Sequence, residues 1–187
     1  MTFNTERCPG SARLAFRKPD LNDAGFYLQL MSDPDYIRFI ADRAITTLDA
    51  ARTFIEENTL PSFEKNGGVG LWLVEEKSSG DPAGICGLVV RDGLEMPDLG
   101  YAFLEKFRGK GYAREAAEAV LGFSVTELGL GQICAITHPA NSRSAGLLLK
   151  TGFRASGQRD LPQIDGISDY YVADLLLSEP QTGPRRR

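Results

Sequence analysis

The stretch from Asp98 to Ala113 changes character twice within sixteen residues. Leu99 to Leu104 is an apolar run of strand length. Arg108-Gly109-Lys110-Gly111 is a basic turn punctuated by glycine. An alanine-rich segment with helical spacing begins at Tyr112. Strand, turn and helix in this order restrict the chain to folds in which helices cover a sheet. The turn also has a chemistry. The first N–H groups of a helix lack intrahelical partners, and the helix dipole favours negative charge at the same end. Glycine lets the backbone approach an anion closely, and Arg108 and Lys110 add positive charge. The stretch therefore reads as a phosphate or pyrophosphate site. Its plain alternative is a strand–helix turn with a solvated basic rim. It is not a P-loop, because Gly111 follows Lys110 where Ser or Thr is required, nor a full dinucleotide fingerprint, because one of three glycines is missing.

The remainder of the chain supplies more strands and helices. Ala12 to Arg17 alternates as a strand. Asp20 can cap a helix running from about Leu21 to Met31, with Leu21, Ala24, Leu28 and Met31 as its core stripe. Asp33-Pro34 ends it, and Tyr36 to Ile40 is a helical turn or lid piece. Thr47 caps a second helix through Leu48, Ala51, Phe54 and Ile55, which Pro61 ends or kinks. Asn66-Gly67-Gly68 is a turn. Two strands, Val69 to Glu75 and Ala83 to Arg91, form a hairpin across residues 77–82. Trp72 reads as a core aromatic. After the 98–104 strand comes the longest helix, with Ala113, Ala116, Ala117, Val120, Leu121, Ser124, Val125 and Leu128 inward and Arg114, Glu115 and Glu118 facing away. Gly129 and Gly131 terminate it. A strand at 132–137, a helix capped by Asn141 and ending at Gly152, and strands at 153–157 and 169–176 complete the order. The expected fold is α/β (α+β), with a mixed central sheet of about six to seven strands.

Composition narrows the function classes. A chain of 187 residues is expected to make one domain, over 11–176, with flexible termini at 1–10 and 179–187. A formal charge of −4 argues against a general nucleic-acid surface. No stretch has the length and apolarity of a membrane span, and no secretory signal is visible. Cys8, Cys86 and Cys134 are widely separated and His138 is the one histidine, so no metal site is expected. A reducing, cytoplasmic location follows.

Two blocks resemble the GCN5-related N-acetyltransferase (GNAT) superfamily. One is Phe107-Arg108-Gly109-Lys110-Gly111-Tyr112-Ala113. The other runs from Asn141-Ser142-Arg143-Ser144 to Lys150-Thr151-Gly152-Phe153, and resembles the ribosomal-protein N-terminal acetyltransferase-like (RimJ/RimL-like) branch. Arg13-Leu14 with Arg17, and Leu99-Gly100-Tyr101, fit the same branch. The resemblance implies a sheet splayed into a V between strands 99–104 and 132–137, helices on both faces, and acetyl-CoA as co-substrate with no metal. The backbone of Arg108, Gly109, Lys110, Gly111, Tyr112 and Ala113 would wrap the pyrophosphate. The edge at Phe103, Leu104 and Glu105 would bond the pantetheine and stabilise the thioester oxygen. Asn141 would hold the cofactor or a water, and Ser144 would donate to the departing thiolate. Asp98 is the leading general base and Glu95 the runner-up, either acting through water. Relatives often carry a tyrosine acid where this chain has Leu148, and a proline where it has Glu105. His138 reads as a loop residue.

The acceptor implied is a primary amine, either a peptide N-terminus or a small molecule, and a homodimer fits the family. Charge alone suggests a cationic acceptor, since Asp33, Asp35, Asp42, Asp165 and Asp169 would rim the opening. Two other readings stay open at this point: a non-catalytic acyl-CoA-binding or regulatory module on the same fold, and an unrelated nucleotide-phosphate binder.

Overall fold

Apolar runs bounded by glycine and proline turns become seven strands in the computed structural model, which describes residues 3–175. The strands are β1 (Leu14–Arg17), β2 (Leu71–Glu76), β3 (Pro82–Val89), β4 (Asp98–Phe103), β5 (Gln132–Thr137), β6 (Arg154–Asp160) and β7 (Ile167–Asp174). Flanking them are α1 (Ala24–Met31), α2 (Pro34–Phe39), α3 (Leu48–Phe54), α4 (Leu60–Lys65), α5 (Tyr112–Thr126) and α6 (Ser142–Lys150). The sheet order is β1-β2-β3-β4-β5-β7-β6. Every neighbouring pair is antiparallel except β4 and β5, which are parallel and pair at a single position, Asp98 with Cys134. Beyond it the two strands separate, as the V-shaped opening requires.

The core lies where the patterns place it, with adjustments. Trp72 is 1% exposed and meets the rings of Phe63 and Phe123 edge-on, at 6.0 and 5.3 Å between centroids. Phe123 thus belongs to the inward face of α5, whereas Val125 is exposed. On α1 the buried residues are Ala24, Phe26, Tyr27, Leu30 and Met31; Leu21, expected in the stripe, lies in a preceding 3₁₀ turn and is exposed. Pro61 neither ends nor simply kinks its helix. Residues Ile55–Thr59 form a π-helical turn joining α3 to α4, and the widened backbone accommodates a residue that has no N–H to give. β6 is shifted to Arg154–Asp160 and is exposed along its length as the sheet edge.

Residues 3–10, expected as a loose lead-in, make specific contacts. The Thr5 N–H donates to the Gly67 carbonyl at 2.9 Å, and Arg7 pairs with Glu127 at 2.8 Å. A Cβ on Gly67 would sit 1.6 Å from the Phe3 carbonyl oxygen, so only glycine lets this segment cross the turn so closely. The tail expected to be flexible, 179–187, lies outside the described residues.

Glu115 is the main correction to the outward face of α5. Its carboxylate accepts from the Ser11 hydroxyl at 2.7 Å, the Arg13 N–H at 2.9 Å and the Arg13 guanidinium at 2.6 Å. Burial opposes the charged form, but these bonds outweigh it and hold the carboxyl below its ordinary range. Glu115→Ala is expected to cost about 1–3 kcal/mol at neutral pH, the range for losing hydrogen bonds to a charged group. Because the folded-state pKa is depressed, this contribution is complete above the ordinary carboxylate range, near pH ~4, and fades as pH falls through the folded value. Chemical denaturation of both proteins at pH 7 and pH 3 checks it; an equal gap at both values would contradict the assignment.

Candidate active site

The separation of β4 from β5 opens a cleft of about 1350 Å³ that runs from the 108–113 turn to the far ends of α2 and the β6–β7 loop. Its cause is visible at the point of divergence. In a continued parallel ladder the Ile136 N–H would donate to a β4 carbonyl. Here Asp98 Oδ1 accepts that proton instead, at 3.2 Å, while Oδ2 pairs with Arg91 at 2.7 Å. A side chain thus substitutes for a strand partner, and the β5 backbone stays satisfied as the strands part. Asp98 is 1% exposed and lies at the cleft floor. Burial pushes its pKa upward, with Arg91 and the Ile136 N–H pulling it back.

At the other end of β4 the chain makes a 3₁₀ turn, Glu105–Phe107, and then the glycine turn. Gly109 and Gly111 have φ of 74° and 82°, in the left-handed region where a Cβ is disfavoured. Gly111 is the N-cap of α5 and offers no side-chain acceptor. Among the described residues, the N–H groups of Gly111, Tyr112 and Ala113 donate to no protein atom. A Cβ on Gly109 would meet nothing within 4 Å, so this turn presents bare amides and open space, which fits a diphosphate. Tyr112 is pinned from behind, its hydroxyl donating to Glu76 and its ring lying under the Arg13 guanidinium at 4.5 Å.

The two cationic side chains of the turn are used differently from expectation. Arg108 pairs with Asp33 at 2.8 Å and Asp35 at 3.0 Å, and donates to the Phe103 carbonyl at 2.9 Å. It fastens the turn to α2 rather than lying free for an anion. The same pairs remove two members of the expected acidic rim. Asp33 also caps α2, and Asp35 is further approached by Arg143 at 3.5 Å. Asp169 accepts from Gln158 and is not at the cleft, so Asp42 and Asp165 are the rim carboxylates that remain. Lys110 sits against the Phe107 ring, outside the cleft lining.

The other expected residues divide. Phe103, Glu105, Asn141 and Ser144 line the cleft. Leu104 does not; its N–H donates to the Ala83 carbonyl at 3.0 Å, toward β3, and so is unavailable to a pantetheine. Glu95 is exposed and absent from the cleft. Its neighbours Leu94 and Met96 pack on Cys134, Tyr170 and Val172, which carries the loop away from the opening. Asn141 caps α6 by accepting from the Ser144 N–H at 3.1 Å. Leu148 is buried in the core. His138 lines the cleft as a turn residue, its Nδ1 accepting from the Ala140 N–H at 3.1 Å.

Two residues were missed as site members. Tyr101, on β4, places its hydroxyl 2.8 Å from Ser144 Oγ across the opening. Burial raises its phenol above the ordinary value. Arg91 holds Asp98. A tyrosine at alternate spacing in a strand looks like packing, and an arginine after one looks like solvated surface, so neither leaves a local signal. Among the described residues no three His, Cys, Asp or Glu side chains come together to hold a metal, and no helix is long and apolar enough to cross a membrane.

Comparison with known proteins adds three relatives and a family. The family described as acetyltransferase (GNAT) domain matches residues 13–154. The chain is 31% identical over 139 residues to the uncharacterised protein YkkB of Bacillus subtilis, covering 73% of this chain and 78% of that one. It is 30% identical over 170 residues to the uncharacterised N-acetyltransferase p20 of Bacillus licheniformis, covering 89% and 94%. The crystal structure of a GNAT-family acetyltransferase from Bacillus anthracis superposes with a TM-score of 0.73 at 25% identity, over 89% and 98%.

Proposed function

We propose, from the premise that this chain belongs to the acetyltransferase (GNAT) domain family, that it transfers an acetyl group from acetyl-CoA to a primary amine held in the same cleft. The observation that carries this reading is the bare-amide turn at 109–113 opening into a cleft whose floor is a buried carboxylate. The acceptor is a peptide N-terminus or a small-molecule amine. The 141–153 block supports placing the chain near the ribosomal-protein N-terminal acetyltransferase branch.

Acetyl-CoA supplies the activated acetyl thioester. The amine nitrogen forms a bond to the acetyl carbon, the carbon–sulfur bond breaks, and CoA leaves as a thiol. The protein's part is positioning and proton transfer. The amides of Gly111, Tyr112 and Ala113 hold the diphosphate, and the unpaired β4 edge offers backbone groups along the opening. Asp98 accepts the proton of the amine, directly or through water; its raised pKa brings it closer to the working pH than an exposed aspartate. Ser144 donates toward the sulfur, which leaves its Oγ to accept from the Tyr101 O–H 2.8 Å away.

Free-thiol detection of CoA release across an amine panel tests the proposal. The expected result is release that requires both the protein and an amine. Tight acetyl-CoA binding with no release on any amine would favour the non-catalytic module, and binding of ATP or NAD in preference to CoA would favour a nucleotide-phosphate binder.

A further inference from the structure

The α2 end of the cleft holds donors that the protein itself does not use. Tyr36 is 6% exposed and lines the cleft, yet among the described residues its O–H donates to no protein atom. Arg43 and Arg91 line the same cleft, and their charges favour the ionised phenol; burial outweighs them and pushes it upward. Arg91 already pairs with Asp98 at 2.7 Å. Neither Arg43 nor Arg38, also on this rim, has a carboxylate within ion-pair distance among the described residues, whereas Arg108, Arg143 and Arg114, at the diphosphate end, all do. The cleft lining also holds the carboxylates of Asp42, Asp98 and Asp165, none of them within ion-pair distance of Arg43. Asp98 is held by Arg91, and Asp42 Oδ1 accepts from the Ala44 N–H at 2.9 Å, closing a turn in which Ala44 has φ of 52°. Asp165, on the β6–β7 loop, has no hydrogen-bond or ion-pair partner among the described residues. The loop that carries Arg43 is thus braced beside the cleft in a conformation an alanine rarely adopts.

From the placing of Tyr36 O–H, Arg43 and Arg91 on one cleft lining with Asp98, we infer that the acceptor carries a carboxylate within about one residue's reach of its amine. This rests on the transferase reading and names its substrate class. The amine faces Asp98, and the carboxylate accepts from Tyr36 and Arg43, a charge-assisted arrangement well suited to a planar anion. The chemistry has two sources, a free amino acid or a peptide with an N-terminal acidic residue. A polyamine fits poorly, since Asp33 and Asp35 are spent on Arg108.

Matched acceptors test it by thiol release at saturating acetyl-CoA. One arm compares leucine with leucinamide and isoamylamine; a second compares peptide amides beginning with Asp and with Asn; spermidine is the cationic probe. In one arm or the other, the carboxylate member is expected to exceed its neutral counterpart in kcat/KM by at least about ten-fold, the worth of one hydrogen bond to a charged group. An amide's amine sheds its proton more readily than that of the free amino acid, so the first arm is biased against the expected result. Arg43→Gln should bring the favoured ratio to within about two-fold of one, Tyr36→Phe should lower it partway, and Arg43→Lys should retain part of it. Arg43 is exposed, so its replacement leaves the fold intact. Turnover indifferent to the carboxylate, a ratio unmoved by Arg43→Gln, or spermidine as the best acceptor overturns this inference alone. No thiol release with any amine overturns it together with the transferase reading.

Discussion

Asp98→Asn is expected to lower kcat by about 10²- to 10⁴-fold, the usual contribution of a positioned general base, with little change in the KM for acetyl-CoA. The asparagine carbonyl can still accept from the Ile136 N–H, so the divergence of β4 and β5 is preserved while the proton acceptor is lost. Arg91 is 25% exposed in its side chain and can turn to water once its partner is neutral. Asp98→Ala should do more, because it also strands the Ile136 N–H and disturbs the cleft itself. The pair of variants thus separates the two tasks of one carboxylate: asparagine damages turnover, and alanine damages turnover and cofactor binding together. The pH profile supplies an independent reading. Burial raises this carboxyl, so kcat/KM should rise with pH through an inflection above the ordinary aspartate value of about 4, and Asp98→Asn should abolish that inflection. Equal, modest losses in both variants with an unaltered profile would leave Asp98 a structural anchor.

The second large effect lies at the other end of the cleft. Replacing Gly109 and Gly111 together by alanine is expected to raise the KM for acetyl-CoA by about 10- to 100-fold, equivalent to losing about one charge-assisted hydrogen bond. Neither Cβ meets backbone; the nearest atom to one on Gly111 is Arg13 Nη2 at 3.5 Å. The strain is conformational, about 1–2 kcal/mol for each non-glycine residue held at positive φ, and the turn relieves it by withdrawing its amides. The loss should appear in acetyl-CoA binding, followed by calorimetry, with amine discrimination retained. An unchanged acetyl-CoA affinity would mean that the diphosphate sits elsewhere.

What could be read along the chain were the features whose partners are close in sequence. Thr47 and Asn141 cap their helices as their positions suggest, and Asp20 caps the 3₁₀ turn that leads into α1, each accepting from an N–H two or three residues on. The strand–turn–helix unit at 98–113 stands where the apolar run and the glycines put it, and it carried the fold, because helix periodicity and left-handed glycine positions are set by the local backbone. Errors arose where a non-local partner decided the outcome. Glu115 looked like solvent-facing charge until β1 was laid beside it, and Leu21 lost its core place to Phe26 and Leu30 through a single 3₁₀ turn.

The sequence by itself determined the order of the main elements, the glycine turn and the carboxylate at the head of the apolar strand next to it, since each follows from residues within a few positions of one another. Only the tertiary structure decided which charges remain available. Arg108 looked like a phosphate ligand and is paired across 73 residues to Asp35, while Tyr101 meets Ser144 across 43. Such pairings have no period in the chain. They depend on how the sheet brings β4 against α2 and α6, and a charge neutralised in that way is invisible until both partners are in place.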